Sequence, residues 1–244
     1  MFDHVTIRVS DPVASERFYD TVLDVLEVPK AGGGFGEGCP EFAEWEELSL
    51  APGDEPTTGL HVAYSAWSHE QVDAFWRAGL AAGYRSYGKP GIRAQYRTDY
   101  YGAFLLDPDG NSIEAVSHSG VTRDGYIDHI WIRVPDLRAT QEFYEAMSPY
   151  TGYPLLWEWP DRVHFGAMGS QFAIVDDLPF TRNLHLAFGT DSDETVQAFH
   201  AAALAAGYAD NGGPGERPRY HPGYYAAFVL DPAGTNVEVV NHHR

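Results

Sequence analysis

The sequence predicts an α+β fold made of two tandem copies of one domain. Two observations support this prediction: the chain repeats itself once, and each copy shows strand and helix patterns in the same order. Residues 3–9 return as residues 128–134, and residues 100–108 return as residues 224–232. Two copies with so long a period exclude a solenoid, because solenoid units are only about 20–50 residues long.

The repeat also sets the predicted domain boundaries. We predict a first domain over residues 1–118, a short polar linker over 119–125 and a second domain over 126–244. Each copy shows the pattern of strand, helix and strands twice, so the chain contains four βαβββ-like units. Two halves of one chain can mimic a dimer, and the sequence therefore leaves open a monomer with pseudo-dimeric halves and a homodimer.

Helix and turn signals recur at matching places in the two copies. Asp11 follows the first strand as a helix N-cap, and Ser68 begins the second helix in the same way. The repeat of that second helix is expected to begin at the Asp191/Glu194 pair. Residues 107–111 are rich in turn formers and separate two apolar runs, which predicts a β-hairpin.

Composition and charge exclude several classes of protein. With 44% hydrophobic residues the chain is neither disordered nor fibrous, and no apolar run approaches the ~20 residues of a membrane span. A net charge of −19 repels phosphate, so we expect a small-molecule substrate and neither nucleic acid nor membrane as partner. Such a charge also simply keeps a protein soluble. The N-terminus lacks signal-peptide features and Cys39 is the single cysteine, which predicts a cytoplasmic protein.

Strand alternation predicts a sheet face that carries ionisable residues. Because side chains alternate along a strand, Val5 and Ile7 face the helix while His4 points the other way. The same reasoning applies to later strands of both copies. The six ionisable residues that it places opposite the helices are His4, His61, Glu114, His129, His185 and Glu238.

A carboxylate on such a face needs a partner, and a metal ion is an efficient one. Two imidazoles and one carboxylate form a facial triad, which leaves about three positions open on an octahedral ion. These ligands suit Fe(II), Mn(II), Ni(II), Co(II) or Zn(II) better than Ca(II). A hydrogen-bonded interior histidine or a solvated glutamate is the alternative for any single residue. The triads form either within each half or by exchange, with His4 joining His185 and Glu238.

Three motifs of the first copy resemble a known family. They are DHVTI at 3–7, LHVAY at 60–64 and YYGAFLLDPDGNSIEAV at 100–116, and similar motifs follow in the second copy. They resemble the vicinal oxygen chelate (VOC) superfamily, which includes glyoxalase I, bleomycin-resistance proteins and extradiol dioxygenases. The resemblance implies tandem VOC domains whose paired βαβββ modules form a cupped mixed sheet around a divalent metal, with the six residues above as ligands. It further implies a metal-dependent enzyme whose substrate chelates the metal through vicinal oxygens.

The branches of this family imply different functions. We favour an extradiol-type dioxygenase with Fe(II) or Mn(II), and a glyoxalase-type lyase or isomerase with Ni(II) or Zn(II) is the alternative. Glyoxalase I uses a further glutamate at the end of its first module, where this chain has Glu46 and Glu47 but, in its second copy, Ser170 and Gln171. A third interpretation is a non-catalytic protein that binds and sequesters a small molecule, such as a drug, in an aromatic cavity.

The second half carries further candidate residues. Because ring cleavage requires proton transfer, His221 and Tyr225 are the candidate catalytic residues, with a cavity-closing loop as the alternative. His164, in a predicted strand, has no counterpart in the first copy. The candidate substrate-binding residues are Arg93, Tyr101, Trp131 and Arg217, and surface ion pairs are the alternative for the two arginines.

Overall fold

The computed structural model describes residues 2–34, 39–121, 125–167 and 170–243, so the predicted linker falls partly outside the described residues. The helices are α1 (Pro12–Val25), α2 (His69–Ala81), α3 (Leu137–Thr151) and α4 (Asp193–Ala205). The strands of the first half are β1 (Phe2–Val9), β2 (Lys30–Gly34), β3 (Cys39–Trp45), β4 (Leu48–Pro52), β5 (Leu60–Ser65), β6 (Arg85–Ile92), β7 (Tyr101–Leu106) and β8 (Ser112–Ser117). Those of the second half are β9 (Ile127–Arg133), β10 (Leu155–Trp159), β11 (Arg162–Ala167), β12 (Ser170–Val175), β13 (Leu184–Gly189), β14 (Ala209–Glu216), β15 (Tyr225–Leu230) and β16 (Asn236–Asn241).

Two mixed sheets of eight strands carry the fold. The first sheet has the order β14-β15-β16-β13-β1-β4-β3-β2, and the second has the order β10-β11-β12-β9-β5-β8-β7-β6. Each sheet takes one βαβββ module from each half, joined by the antiparallel pairs β1–β13 and β5–β9. The predicted α+β class with four such modules is confirmed, and the structure adds that the modules pair across the two halves of the repeat.

The hydrophobic core runs through both halves. Val5 and Ile7 are fully buried, as the alternation along the first strand predicts. At the junction, Phe2 stacks on Tyr153 with ring centroids 5.1 Å apart and lies 6.0 Å from Phe188. These residues belong to one continuous core cluster. Because the burial of apolar surface is the dominant favourable term in folding, each half stabilises the other.

Side-chain caps set the helix starts. Asp11 and Ser68 each accept a hydrogen bond from the backbone N–H three residues later, as predicted. The fourth helix starts after Ser192, whose hydroxyl accepts from the N–H of Thr195, and the prediction of a start at Asp191 is wrong by one residue. Both residue types cap helices well, so only backbone geometry decides between them. Within the described ranges, no helix is both long and apolar enough to cross a lipid bilayer.

The helices of one half pack together although their modules lie in different sheets. Helix α1 contacts β4, α2 contacts β6 and β7, and α1 packs against α2; α3 and α4 pack together likewise. A buried hydrogen bond spans this junction, because the Tyr19 hydroxyl on α1 donates to Oδ2 of Asp107 beyond β7 at 3.1 Å. Tyr144 on α3 donates to Oδ2 of Asp231 at the same distance. In each half, this hydrogen bond therefore links the module in one sheet to the module in the other sheet.

Removal of one hydroxyl tests how much this hydrogen bond stabilises the protein. Tyr19→Phe takes a donor away from the buried Asp107 carboxylate, a loss that costs about 1–3 kcal/mol. We expect the free energy of unfolding, measured by urea denaturation, to fall by that amount, and Tyr144→Phe to act similarly. Tyr87→Phe is the control because that ring is 63% exposed, and its effect should stay within about 0.5 kcal/mol. Wild-type stability of Tyr19→Phe would contradict the expectation.

Candidate metal centres

The structure brings His4, His185 and Glu238 together on the first sheet. They lie on β1, β13 and β16, which are adjacent strands. The Nε2 atoms of the two histidines are 3.1 Å apart. Oε2 of Glu238 lies 2.9 Å from Nε2 of His185 and 3.7 Å from Nε2 of His4. We call this group the first centre.

The second sheet holds a matching group of His61, Glu114 and His129, on the adjacent strands β5, β8 and β9. Nε2 of His61 lies 3.4 Å from Nε2 of His129 and 3.1 Å from Oε2 of Glu114. The distance from Nε2 of His129 to the same oxygen is 3.7 Å. Glu114 is only 1% exposed. We call this group the second centre.

Each centre draws side chains from both halves of the chain. Of the two arrangements that the sequence leaves open, the structure has the exchange, in which His4 meets His185 and Glu238. The cause is the pairing of β1 with β13, which places Thr6 opposite His185 and so brings the neighbouring His4 beside it. The β5–β9 pairing does the same for the second centre.

The geometry of both groups fits a divalent metal. With a metal–nitrogen bond of about 2.1 Å, neighbouring ligands on an octahedron lie about 3.0 Å apart (√2 times the bond length). The separations of 2.9–3.7 Å between the converging nitrogen and oxygen atoms are close to this value. Two imidazoles and one carboxylate are also a ligand set that first-row transition metals use.

Hydrogen bonds at Nδ1 orient the imidazoles. Nδ1 of His61 lies 3.0 Å from Oγ of Ser112, and Nδ1 of His185 lies 2.5 Å from Nδ2 of Asn236. In His129, Nδ1 is bonded to the preceding aspartate at 2.8 Å. In His129 the Nδ1–H donates to the carboxylate, and in His61 it can donate to the hydroxyl, which leaves the lone pair of Nε2 to face the centre, as is usual for metal-bound histidine.

The aspartates that precede two of the histidines continue into longer chains. In the second centre, Asp128 bonds His129 through Oδ1 and lies 3.3 Å from Nε2 of His118 through Oδ2. His118 ends this chain near the backbone N–H of Gly120, which donates to its Nδ1. Asp128 is 2% exposed, and its two histidine hydrogen bonds outweigh its burial and lower its pKa to about 2.

The corresponding chain of the first centre extends further. His4 bonds Oδ1 of Asp3 at 2.7 Å, and Oδ2 of Asp3 bonds Nε2 of His242 at 2.8 Å. Nδ1 of His242 lies 2.8 Å from Nε2 of His221. The predicted catalytic residue His221 is thus connected to the first centre through two intervening side chains, and no contact joins it directly to the three central residues within the described chain.

Tyrosine hydroxyls bond the two glutamates. Tyr100 donates to Oε1 of Glu114 at 2.9 Å, and Tyr224 donates to Oε1 of Glu238 at 2.7 Å. Each bond occupies one carboxylate oxygen and leaves Oε2 directed at the histidines. Hydrogen bonds of this kind fix the orientation of a ligating carboxylate.

The predicted site residues Tyr101 and Tyr225 lie on the other face. The Tyr101 hydroxyl donates to Asp73 of α2, and the Tyr225 hydroxyl accepts from Gln197 of α4. Because neighbouring strand residues point to opposite faces, the preceding tyrosine of each pair reaches the carboxylate instead. The prediction that Tyr101 and Tyr225 lie at the site is therefore wrong by one position, because Tyr100 and Tyr224 are the tyrosines that bond the glutamates.

Burial dominates the electrostatics of the second centre. It raises the pKa of Glu114 to about 8 and holds the pKa of His61 well below its usual value. Burial also acts to lower the pKa of His129, but the hydrogen bond to Asp128 and the nearby negative charges raise it overall. A buried acid and two buried bases without a counter-ion are costly, and a divalent cation favours the ionised acid and the neutral imidazoles.

The two predicted arginines lie over phenylalanine rings beside the centres. The Arg93 guanidinium is 5.4 Å from the ring centroid of Phe104, and that of Arg217 is 5.5 Å from Phe228. Each phenylalanine ring lies within 6.1 Å of a central histidine ring. Both guanidinium groups donate to backbone carbonyls, and neither forms an ion pair with a carboxylate of the described residues.

The predicted residue Trp131 lines the second centre. It follows His129 by two positions on β9, and therefore shares its face of the sheet. Its ring centroid lies 6.1 Å from that of His61 and 6.4 Å from that of His129.

The two glutamates considered for a glyoxalase-type site have other surroundings. Oε2 of Glu47 accepts the backbone N–H groups of Tyr126 and Ile127 at 2.7 and 2.8 Å, and so joins the two halves at the start of β9. Glu46 occupies a tight turn with a φ of 28°. Neither belongs to the group of converging side chains at the first centre.

Sequence reasoning missed the residues that support the central six. Asp3 and Asp128 stand in the repeated Asp-His pair, and a metal-bound histidine commonly bonds a carboxylate, so the repeat itself contained that signal. Tyr100 and Tyr224 are the first members of repeated Tyr-Tyr pairs, and only the register of the following hairpin identifies them. His242 lies close to His4 only in the tertiary structure.

Comparisons with known proteins agree with this architecture. The sequence model of the Glyoxalase/Bleomycin resistance protein/Dioxygenase superfamily matches residues 1–115, and no curated protein matches the sequence. The crystal structure of glyoxalase I from Zea mays has a TM-score of 0.71 at 18% identity, over 99% of this chain and 92% of that one. A candidate dioxygenase from Bacillus subtilis subsp. subtilis str. 168 has a TM-score of 0.66 at 13% identity, over 100% of this chain and 85% of that one. Likeness at such identities shows a shared fold.

The family match covers the first copy of the repeat, the second copy carries the same motifs, and the shared fold extends over nearly the whole chain. The resemblance seen in the sequence is confirmed for the first copy of the repeat: residues 1–115 match the model of the Glyoxalase/Bleomycin resistance protein/Dioxygenase superfamily, known also as the vicinal oxygen chelate superfamily.

Proposed function

We propose that this protein is a divalent-metal-dependent enzyme with two metal centres, acting on a small molecule that chelates the metal through two neighbouring oxygens. The observation that carries the proposal is the convergence, in each sheet, of two Nε2 atoms and one carboxylate oxygen on a common point. Their other polar atoms are engaged by hydrogen bonds, which pre-organises the set for one ion. Each centre is complete within one chain, so a monomer suffices.

The chain's own residues would hold and orient the reactants. Three protein ligands would leave room on a bound ion for two neighbouring substrate oxygens. When bound, a divalent metal supplies Lewis-acid polarisation of the chelated oxygens. Arg93 and Arg217 stand beside the two centres with guanidinium groups available for an anionic substituent of the substrate.

Extradiol-type oxygenation with Fe(II) or Mn(II) is the reaction class that we place first. Two histidines and one carboxylate with open positions are the ligand set typical of non-haem Fe(II) oxygenases. At the first centre, the hydrogen-bonded chain through Asp3, His242 and His221 ends on Nδ1 of His4 and would set the orientation and charge of that ligand. These residues would act on His4 and not on the substrate itself, so they are positioning residues.

Glyoxalase-type isomerisation, with Ni(II), Co(II) or Zn(II), is the second candidate. One observation favours it: Glu44 lies across β4 from Thr6, on the face of the first centre, and its negative charge contributes to the raised pKa of His4. A carboxylate at this place can act as a base toward a substrate C–H group.

The central proposal predicts the metal content of variants. Wild-type protein loaded with Mn(II) and desalted should hold two equivalents by elemental analysis, while His61→Ala and His185→Ala should each hold about one. The double variant should hold none, because a centre with two ligands left binds weakly. His69→Ala, at an exposed histidine outside both centres, is the matched control and should hold two. Two equivalents in His61→Ala would refute the assignment of the second centre.

We expect each aspartate to affect metal affinity only at the centre whose histidine it bonds. Asp128→Asn weakens the bond that orients His129, and loss of such a partner typically lowers metal affinity about 10–100-fold. We expect that loss at the second centre in a His185→Ala background, measured by Mn(II) titration. Asp3→Asn in the same background is the control, because Asp3 serves only the first centre. Equal losses in both variants would contradict the local role of each aspartate.

Metal identity and oxygen consumption separate the reaction classes. Protein purified with Fe(II) or Mn(II) that consumes oxygen in the presence of a catechol supports oxygenation. Protein purified with Ni(II) or Zn(II) that converts a hemithioacetal without consuming oxygen supports isomerisation. Metal-free protein that binds a drug-like molecule tightly and transforms nothing would overturn the enzymatic proposal in favour of sequestration.

A further inference from the structure

Beyond Trp131, aromatic residues continue in a row across the second sheet. The strand pairings place His61 opposite Trp131, Trp131 opposite Ala173, Ala173 opposite His164 and His164 opposite Trp157. Directly opposed residues in a sheet share one face, so this row starts at the second centre and stays on its side of the sheet.

The rings of this row contact one another. The ring of His164 lies 6.3 Å from that of Trp131, 6.0 Å from that of Trp157 and 5.2 Å from that of Trp159. Tyr96 adds a further ring, 6.1 Å from Trp131. Trp157 and Trp159 stand at the sheet edge with exposures of 52% and 41%, so part of this aromatic surface faces solvent.

His164 supplies a polar atom without a partner. Its Nδ1 lies 3.3 Å from Oε1 of Gln171, which makes Nδ1 the donor and leaves Nε2 as an acceptor. Nε2 is buried and has no hydrogen-bond partner among the residues that the structure describes. Burial lowers the pKa of His164, which favours the neutral ring. A buried acceptor of this kind is costly unless a ligand satisfies it.

The first centre has a different row at the same register. Starting from His185, the pairings lead to Thr6, Ser49, Glu44 and Gly32 in turn. Threonine thus stands in place of Trp131, glutamate in place of His164 and glycine in place of Trp157. The Ser49 hydroxyl donates to Oε1 of Glu44 at 3.1 Å, so this row is polar and its carboxylate already has a partner.

We infer that the second centre takes a substrate with an aromatic ring, whereas the first centre does not. This inference rests on the proposed function. The vicinal oxygens of the substrate face the metal, and its ring packs against Trp131 and against the indoles of Trp157 and Trp159 at the sheet edge. A hydroxyl or N–H group on that ring donates to Nε2 of His164, and entry shifts an indole of Trp157 or Trp159. Ring stacking and the satisfied acceptor both favour aromatic over aliphatic ligands.

Three hydroxamates that share one chelating group test this inference. Acetohydroxamate carries no ring, benzohydroxamate adds a ring, and 4-hydroxybenzohydroxamate adds a distal hydroxyl. The His185→Ala protein isolates the second centre and His61→Ala isolates the first, each loaded with Mn(II) and titrated by calorimetry. We expect benzohydroxamate to bind the second centre about tenfold tighter than acetohydroxamate, and the first centre with a difference of less than about threefold.

Substitutions in the row identify its members. In the His185→Ala background, Trp131→Thr installs the residue of the first centre and should remove the advantage of the ring. Trp131→Phe keeps an aromatic face and should retain most of it. His164→Ala should remove only the additional gain of 4-hydroxybenzohydroxamate over benzohydroxamate, which we expect to be about fivefold or more.

The outcomes separate this inference from the proposed function. If the protein binds Mn(II) and acetohydroxamate, but the ratio of benzohydroxamate to acetohydroxamate affinity is the same at both centres, the inference is wrong. The assignment of the metal centres then still stands. If no metal binds, the proposed function fails, and phenol then tests the ring site alone. Saturable quenching of tryptophan fluorescence by phenol in wild-type protein, with a lower phenol affinity in Trp131→Thr, supports the ring site; equal affinity in both proteins overturns it.

Discussion

The antiparallel pairing of β1 with β13 and of β5 with β9 is the constraint on which the rest of this protein depends. Through these two pairs, a module from one half of the chain continues the sheet of a module from the other half. The same pairing sets His4 beside His185 and His129 beside His61. Fold and candidate metal centres therefore form together, and neither half completes a centre by itself.

Buried polarity is the second feature that the two sheets share. Glu114 and Glu238 are both 1% exposed. A tyrosine bonds each of them, and an aspartate bonds one histidine in each centre. Hydrogen bonds thus hold the outer polar atoms of each centre, while the Nε2 and Oε2 atoms converge to within 2.9–3.7 Å of one another.

Duplication has preserved the centres while the surrounding strands have diverged. The β3–β4 pairing ends at Trp45 and Leu48, whereas the β11–β12 pairing continues beyond the corresponding pair to Ala167 and Ser170. His164 therefore corresponds by sheet register to Glu44 and not to the residue one repeat length earlier. Each centre adjoins one phenylalanine, but the row of residues that leads away from the second centre is aromatic, whereas the row from the first centre carries hydroxyls and a carboxylate. Two candidate metal centres with matching side chains therefore stand in different surroundings.

Local signals in the sequence determined the elements, the faces of the strands and the candidate ligand set. Asp11 and Ser68 cap helices, alternation puts Val5 in the core, and the six metal-ligand candidates lie on the predicted face, because capping and strand alternation act over a few residues. Only the tertiary structure decided which modules pair, which tyrosine reaches each glutamate and where His242 lies. Strand partners and register depend on the packing of residues more than a hundred positions apart, and a local pattern carries no information about that free energy.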